Sequence, residues 1–324
     1  MLLDIGSCTV SIDSREDADL HFVSHAHSDH TAGVRNYSVL LASEATKDIL
    51  EAKGKKGISL AASPSNVKLL NAGHVLGSKQ LFAEDTERGY DVVYTGDYQT
   101  DDPLLAEKIE TRHADIAIMD STYPYPNLHF EDKNEVIIAM QHYARMKLEK
   151  GSVIFRAYSL GRAQEIIRIY NEIGIVPVVS GEIARISRIY EKYGVHLVFS
   201  EYDGSRLPNS NFLGIFTSSD FCKVTKKFAS ESRRKFTAVA TGWAKLLRFD
   251  TDVQFALSDH ADFRQAVQYV EATSPKLVLT VGAGAVLLAA KLKGMGYEAR
   301  PFDNCACAQL ANVWQPISNL SLIR

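Results

Sequence analysis

The chain has 324 residues, 46% of them hydrophobic and 23% charged, and carries a net charge of -3. That length can bury a sizeable core in more than one compact unit, and the ordinary composition excludes a low-complexity or fibrous chain. The charge excludes a surface coated in basic residues, so any contact with nucleic acid has to be local.

In chain order, Thr9-Val10-Ser11-Ile12-Asp13 alternates like a strand and leaves Asp13 at its end. The apolar run Leu20-His21-Phe22-Val23 opens directly onto His25-Ala26-His27-Ser28-Asp29-His30. A strand ending in such a loop points imidazoles and a carboxylate into one pocket, a donor set suited to a borderline-soft divalent ion such as zinc. Two of the four can serve one ion and two a second, and paired ions suit hydrolysis of phosphate esters or amides. The chain holds only ten histidines, so three in six positions beside an aspartate mark a metal site. Residues 43–53 have the start signal and spacing of a helix, with Gly54 as its stop. Strands follow at 67–70, before His74, and at 90–94, before Asp97. The buried strand 116–119 delivers Asp120, in keeping with α/β proteins that build their sites at strand ends.

From about Glu131 helices and strands alternate: helix 135–150, strand 152–155, helix 162–173, strand 175–179 and helix 182–193. Strand-like residues 253–257 lead to His260, strand 277–281 follows, and a helix spans 285–292. This texture predicts one α/β domain interrupted by an inserted one. Lys223 to Arg248 holds eight basic residues and one acidic, a local charge of +7 expected to border a cleft and attract a phosphate backbone. Phe221, Phe228, Phe236 and Trp243 interleave with it, most of them expected in the core. Four scattered cysteines favour a reducing interior, and Cys305-Ala306-Cys307 lacks the two-residue spacing of a zinc ribbon. Asp4 interrupts the short apolar start, and no apolar run is long enough for a bilayer, so the expectation is a soluble cytoplasmic protein with no membrane partner.

Asp13, His-x-His-x-Asp-His at 25–30, His74 and Asp97 match, in order, four successive motifs, and here the chain resembles the metallo-β-lactamase fold. More narrowly it resembles the β-CASP nucleases. This rests on residues 71–78 (Asn-Ala-Gly-His-Val-Leu-Gly-Ser), Tyr94-Thr95-Gly96-Asp97, Asp120-Ser121-Thr122-Tyr123 and Ser258-Asp259-His260-Ala261-Asp262. Residues 159–165 (Ser-Leu-Gly-Arg-Ala-Gln-Glu) look like a helix start of that family's inserted cap.

The resemblance implies a four-layer αββα domain from residues 1–125 and 241–324, with an α/β cap inserted at 126–240. His25, His27 and His74 would hold one zinc, Asp29 and His30 a second, with Asp97 bridging and Asp13 orienting the loop. Asp29, Asp120 and His260 would form the catalytic set, His260 protonating the leaving oxygen while Asp120 orients it. Ser78, Ser121, Thr122, Ser159 and Arg162 would grip a terminal phosphate. RNA-cleaving members carry a further histidine after the late buried strand, where this chain has Val281-Gly282-Ala283-Gly284 and no histidine beyond His260. Valine there, with Thr241-Gly242-Trp243, is the pattern of the Artemis-type and ligase-associated DNA exonucleases. The second metal position would then be the weaker one, open to Mn²⁺ or Mg²⁺. The expected activity is a 5′→3′ DNA exonuclease in repair or processing, with partner proteins unspecified. The alternatives are an RNA-processing nuclease, a small-molecule hydrolase and a non-catalytic binding subunit.

Overall fold

The computed structural model describes residues 1–5, 8–85 and 88–302. Cys305 and Cys307 lie outside the described residues. The fold is mixed α/β. One six-stranded sheet has the order Ala299–Pro301, Leu277–Val281, Ile116–Asp120, Tyr90–Tyr94, Lys79–Asp85, Val67–Asn71. Its first four strands are parallel and its last two pairings antiparallel. Side chains alternate across the pleat, so Leu81, Val92, Tyr94, Ile116, Ile118 and Leu279 face one core. Phe82, Val93, Ala117, Met119 and Val278 face another.

The first core is closed by a three-stranded sheet, Leu2–Asp4, Thr9–Ile12 and Leu20–Phe22, through Leu3, Val10, Ile12 and Phe22. The second is closed by helices Phe263–Thr273 and Ala285–Gly294. Burial on both faces explains why strands 116–120 and 277–281 are apolar almost throughout.

A second six-stranded sheet is parallel throughout, in the order Ser200–Glu201, Val178–Val179, Leu213–Phe216, Ser152–Arg156, Lys235–Ala240, Val253–Phe255. Helices Lys133–Leu148, Arg162–Asn171 and Gly181–Lys192 pack on it around Val153, Phe155, Ile166, Tyr170 and Ile186. The last strand of this sheet, paired to 238–240, lies beyond the boundary expected at 240, so the sheet runs on to Phe255. The strand expected over 175–179 is reduced to Val178–Val179, since Pro177 has no amide to donate. Helix Glu44–Ala52, capped by Ser43, meets the far end of helix Gly181–Lys192. There the Asp48 carboxylate takes Lys192 Nζ at 2.5 Å and the Tyr193 hydroxyl at 2.7 Å. Among the described residues no helix is long and apolar enough to cross a membrane.

Candidate metal centre and cleft

Strand Leu20–Phe22 runs into the loop carrying His25, His27, Asp29 and His30. Asp13 anchors that loop: its carboxylate accepts from the Ser24 amide at 2.8 Å, Ser24 Oγ at 2.6 Å, His30 Nδ1 at 2.7 Å and the Tyr94 hydroxyl at 2.9 Å. His74 lies in the turn after Val67–Asn71, where Gly73 has φ +79° and a Cβ would come within 2.4 Å of the Gln99 carbonyl oxygen. Asp97 follows Tyr90–Tyr94 through Gly96, whose φ is +56°. His260 enters just before helix Phe263–Thr273, and Asp120 closes its strand.

These elements converge. One ligating atom each from His25, His27, His74 and Asp97 lies within 4.8 Å of the others. His25 Nε2 and His27 Nδ1 are 2.9 Å apart, and His74 Nε2 is 3.2 Å from His27 Nδ1. Asp97 Oδ2 is 3.5 Å from His25 Nε2 and 3.7 Å from His74 Nε2, while its Oδ1 is 3.2 Å from His30 Nε2. One carboxylate therefore stands between the His25–His27–His74 group and His30. Asp29 Oδ2 reaches to 3.9 Å from His30 Nε2 with its side chain 77% exposed. His260 sets Nδ1 3.2 Å from Asp120 Oδ2 and Nε2 3.8 Å from Asp97 Oδ2. Asp97, Asp120 and His260 form a second convergent set.

The donor chemistry fits a divalent cation. In four of the five clustered imidazoles, the outer nitrogen has an acceptor on the scaffold: His27 Nε2 on the Leu160 carbonyl at 3.2 Å and His74 Nδ1 on the Asp259 carbonyl at 2.8 Å. His30 Nδ1 meets Asp13, and His260 Nδ1 meets Asp120. The fifth, His25, has Nδ1 3.0 Å from Ser24 Oγ, which itself donates to Asp13. The remaining nitrogens of His25, His27 and His74 face one another and Asp97, so these three converge lone pairs on one carboxylate with too few protons between them. A cation resolves that arrangement, and outer acceptors of this kind fix the tautomer a ligand needs.

The electrostatics agree. Burial holds His25, His27 and His74 below the usual histidine range, His74 at about 4, so these three are neutral donors. Burial opposes charge on His30 too, yet Asp97 and Asp13 push it up to about 11, which marks a place that favours positive charge. Asp97 is held well below the carboxylate range, against its own burial, by His260 and His30. His260 is likewise opposed by burial but pushed up to about 9 by Asp97 and Asp120. A cavity of about 860 Å³ opens over His27, His30, Asp97, Asp120 and His260, with Trp243 among its walls.

No family model matches the chain. A probable DNA ligase of Opitutus terrae is 30% identical over 297 residues, covering 86% of this chain and 28% of that protein. An RNase J-like protein of Methanocaldococcus jannaschii is 26% identical over 242 residues, covering 60% of this chain and 55% of that protein. An uncharacterized protein in the lig 3′ region of Acidianus ambivalens is 30% identical over 144 residues, which cover 96% of it and 43% of this chain. The chain belongs to the β-CASP family. It spans little more than a quarter of the Opitutus protein's length.

For a β-CASP chain, the expected substrate-gripping residues prove largely committed elsewhere. Ser78 is buried and its Oγ accepts from the amides of His74 and Val75, so it shapes the turn. Ser121 is buried and donates to the Val281 carbonyl. Ser159 donates to Glu182 at 2.6 Å. Thr122 does line the cavity, with its hydroxyl on Asp120 Oδ1 at 3.0 Å. Arg162 lines it too, but is 3% exposed and held by Glu165 and Asp259. None of the eight basic residues at 223–248 is among the residues lining the cavity. Lys223 and Lys245 pair with Asp220 and Glu131, and Arg233 with Glu231. Phe221 and Phe228 are core, while Trp243 reaches the cavity beside Tyr123. The residues that sequence reasoning missed are Ser24, Tyr94 and Asp259. Ser24 and Asp259 each adjoin a proposed functional histidine, and Tyr94 precedes Asp97 by three, so adjacency was the available signal.

Proposed function

We propose that the chain is a metal-dependent phosphodiesterase acting on nucleic acid. The carrying observation is Asp97, set between the His25–His27–His74 group and His30, with His260 and Asp120 across the same cavity. In this reading His25, His27, His74 and Asp97 hold one ion, zinc by donor type, and Asp97, His30 and Asp29 a weaker second, to which Mn²⁺ or Mg²⁺ is also suited. Such ions, when bound, supply Lewis acidity toward a phosphoryl oxygen and toward water. Asp13 and Ser24 keep the loop imidazoles in register. His260 holds a proton at Nε2 for the leaving oxygen, and Asp120 fixes its other nitrogen. The proposed division places a four-layer αββα domain in 1–125 and in the described residues after Phe255, with the cap between them.

DNA is the preferred substrate, as a 5′→3′ exonuclease. Support comes from Val281 in place of a late histidine, and from similarity to a probable DNA ligase and to a protein in a lig 3′ region. The RNase J-like relative favours a second reading in which RNA is cut. The test offers matched 5′-phosphorylated single-stranded DNA and RNA oligonucleotides to the metal-loaded protein. DNA shortened progressively from its 5′ end is the expected result, and preferential cutting of RNA would select the second reading. Cleavage of neither by protein of verified metal content would overturn the proposal.

A further inference from the structure

The two histidines with backbone acceptors share a feature that the proposed chemistry leaves unused. His27 Nε2 rests on the carbonyl of Leu160, and His74 Nδ1 on the carbonyl of Asp259. Leu160 belongs to the loop after strand Ser152–Arg156 of the second sheet, whereas Asp259 comes from the segment before helix Phe263–Thr273. Arg162, two residues past Leu160, joins them: its Nη2 is 3.0 Å from Asp259 Oδ1 and its Nη1 bonds Glu165. All three side chains are largely buried. Between them Gly161 has φ +82°, and a Cβ there would lie 2.6 Å from Val75 Cγ1, beside His74. The loop is pressed against the histidine turn at that point, with no room for a larger residue.

We propose that Arg162 is a positioning residue for the ion-binding histidines: by clamping Asp259 to the 160–162 loop, it fixes the two carbonyls that orient His27 and His74. The inference rests on reading the histidine cluster as an ion site. A fork holding two carboxylates at once imposes direction as well as charge, which a lysine cannot reproduce. Loss of the partners that orient metal-binding imidazoles typically weakens metal affinity by about 10–100-fold. A pure charge effect has a different signature. Removing the Arg162 cation would tighten binding of a nearby cation, and replacing it with lysine would leave binding unchanged.

The test is a cobalt(II) titration of the full metal-stripped chain, followed by visible absorption, for the native protein, Arg162→Lys and Arg162→Gln, with thermal unfolding as a check on folding. The expected result is affinity lowered roughly tenfold or more in Arg162→Gln, and in the same direction in Arg162→Lys despite its retained charge. If Arg162→Gln does not fold, Arg162→Lys decides. Cobalt affinity within twofold of native in Arg162→Lys, or tighter binding in Arg162→Gln, would overturn the inference while leaving the ion site intact. Failure of the native chain to take up cobalt would instead overturn the reading beneath it.

Discussion

His260 faces Asp120 with one ring nitrogen, at 3.2 Å, and Asp97 with the other, at 3.8 Å. Asp120 closes a strand of the mixed sheet, and Asp97 sits among the clustered histidines. The imidazole is thus held by one carboxylate while its second nitrogen looks across the cavity toward the proposed ion. That is the disposition of a proton donor placed opposite a nucleophile.

His260→Ala is therefore expected to lower turnover by roughly 10²–10⁴-fold, the usual contribution of a general acid, with metal content unchanged. Asp120→Asn should lose a large part of the same factor, because the amide cannot hold the tautomer as the carboxylate does. Metal analysis beside single-turnover cleavage checks both variants. Loss of metal from His260→Ala would contradict its role as an acid.

The exposure of Asp29 bears on the second ion. Its carboxylate is 77% exposed and 3.9 Å from His30, whereas His25 and His74 are buried, His27 is half-buried, and all three are held neutral. Calorimetric titration of stripped protein should resolve one tight and one weaker metal, and Asp29→Ala should remove the weaker alone. Two equally tight ions would contradict this ordering.

Gly284 tests the turn that stands where a late histidine is absent. A Cβ there would lie 2.1 Å from the Ser121 carbonyl oxygen and 2.5 Å from Pro124 Cγ. Gly284→Ala should destabilise the protein by about 1–3 kcal/mol through overpacking, read from denaturant unfolding. It should also displace Ser121, and with it the neighbouring Asp120, so turnover should fall alongside stability.

Asp48, held by Lys192 and Tyr193, offers a pH dependence outside the histidine cluster. Partial burial would raise its carboxyl, but hydrogen bonds from Lys192 and Tyr193 hold it below the usual range. A group lowered in the folded state adds stability that is present above its unfolded value, near 4, and is lost as pH falls through the folded one. Asp48→Asn should therefore unfold at lower temperature than native at pH 7, with a smaller gap in acid as the pH falls below about 4. A gap that is the same in acid as at pH 7 would remove Asp48 from the linkage.

Much of this was legible in the sequence. The residues of the proposed ion site stand out by chemical type at strand ends, and apolar strands 90–94, 116–120 and 277–281 read correctly because both their faces are covered. Strand 79–85 and helix 263–273 were not read. The strand mixes Lys79, Gln80, Glu84 and Asp85 into its run, and the helix is marked chiefly by the Asp262–Gln265 capping box. The substrate residues read least well. A serine or arginine beside a motif carries no sign of where its hydrogen bonds go, and only folding spends Ser78 on His74 and Arg162 on Asp259.

The central claim, that this cluster holds a cation required for phosphodiester cleavage, is tested most directly by following one oligonucleotide with native protein, chelator-stripped protein, stripped protein resupplied with Zn²⁺ or Mn²⁺, and Asp97→Ala. Cleavage should vanish on stripping, return on resupply, and stay absent in Asp97→Ala with its metal lost. Equal cleavage by stripped and native protein, or full activity in Asp97→Ala, would contradict it.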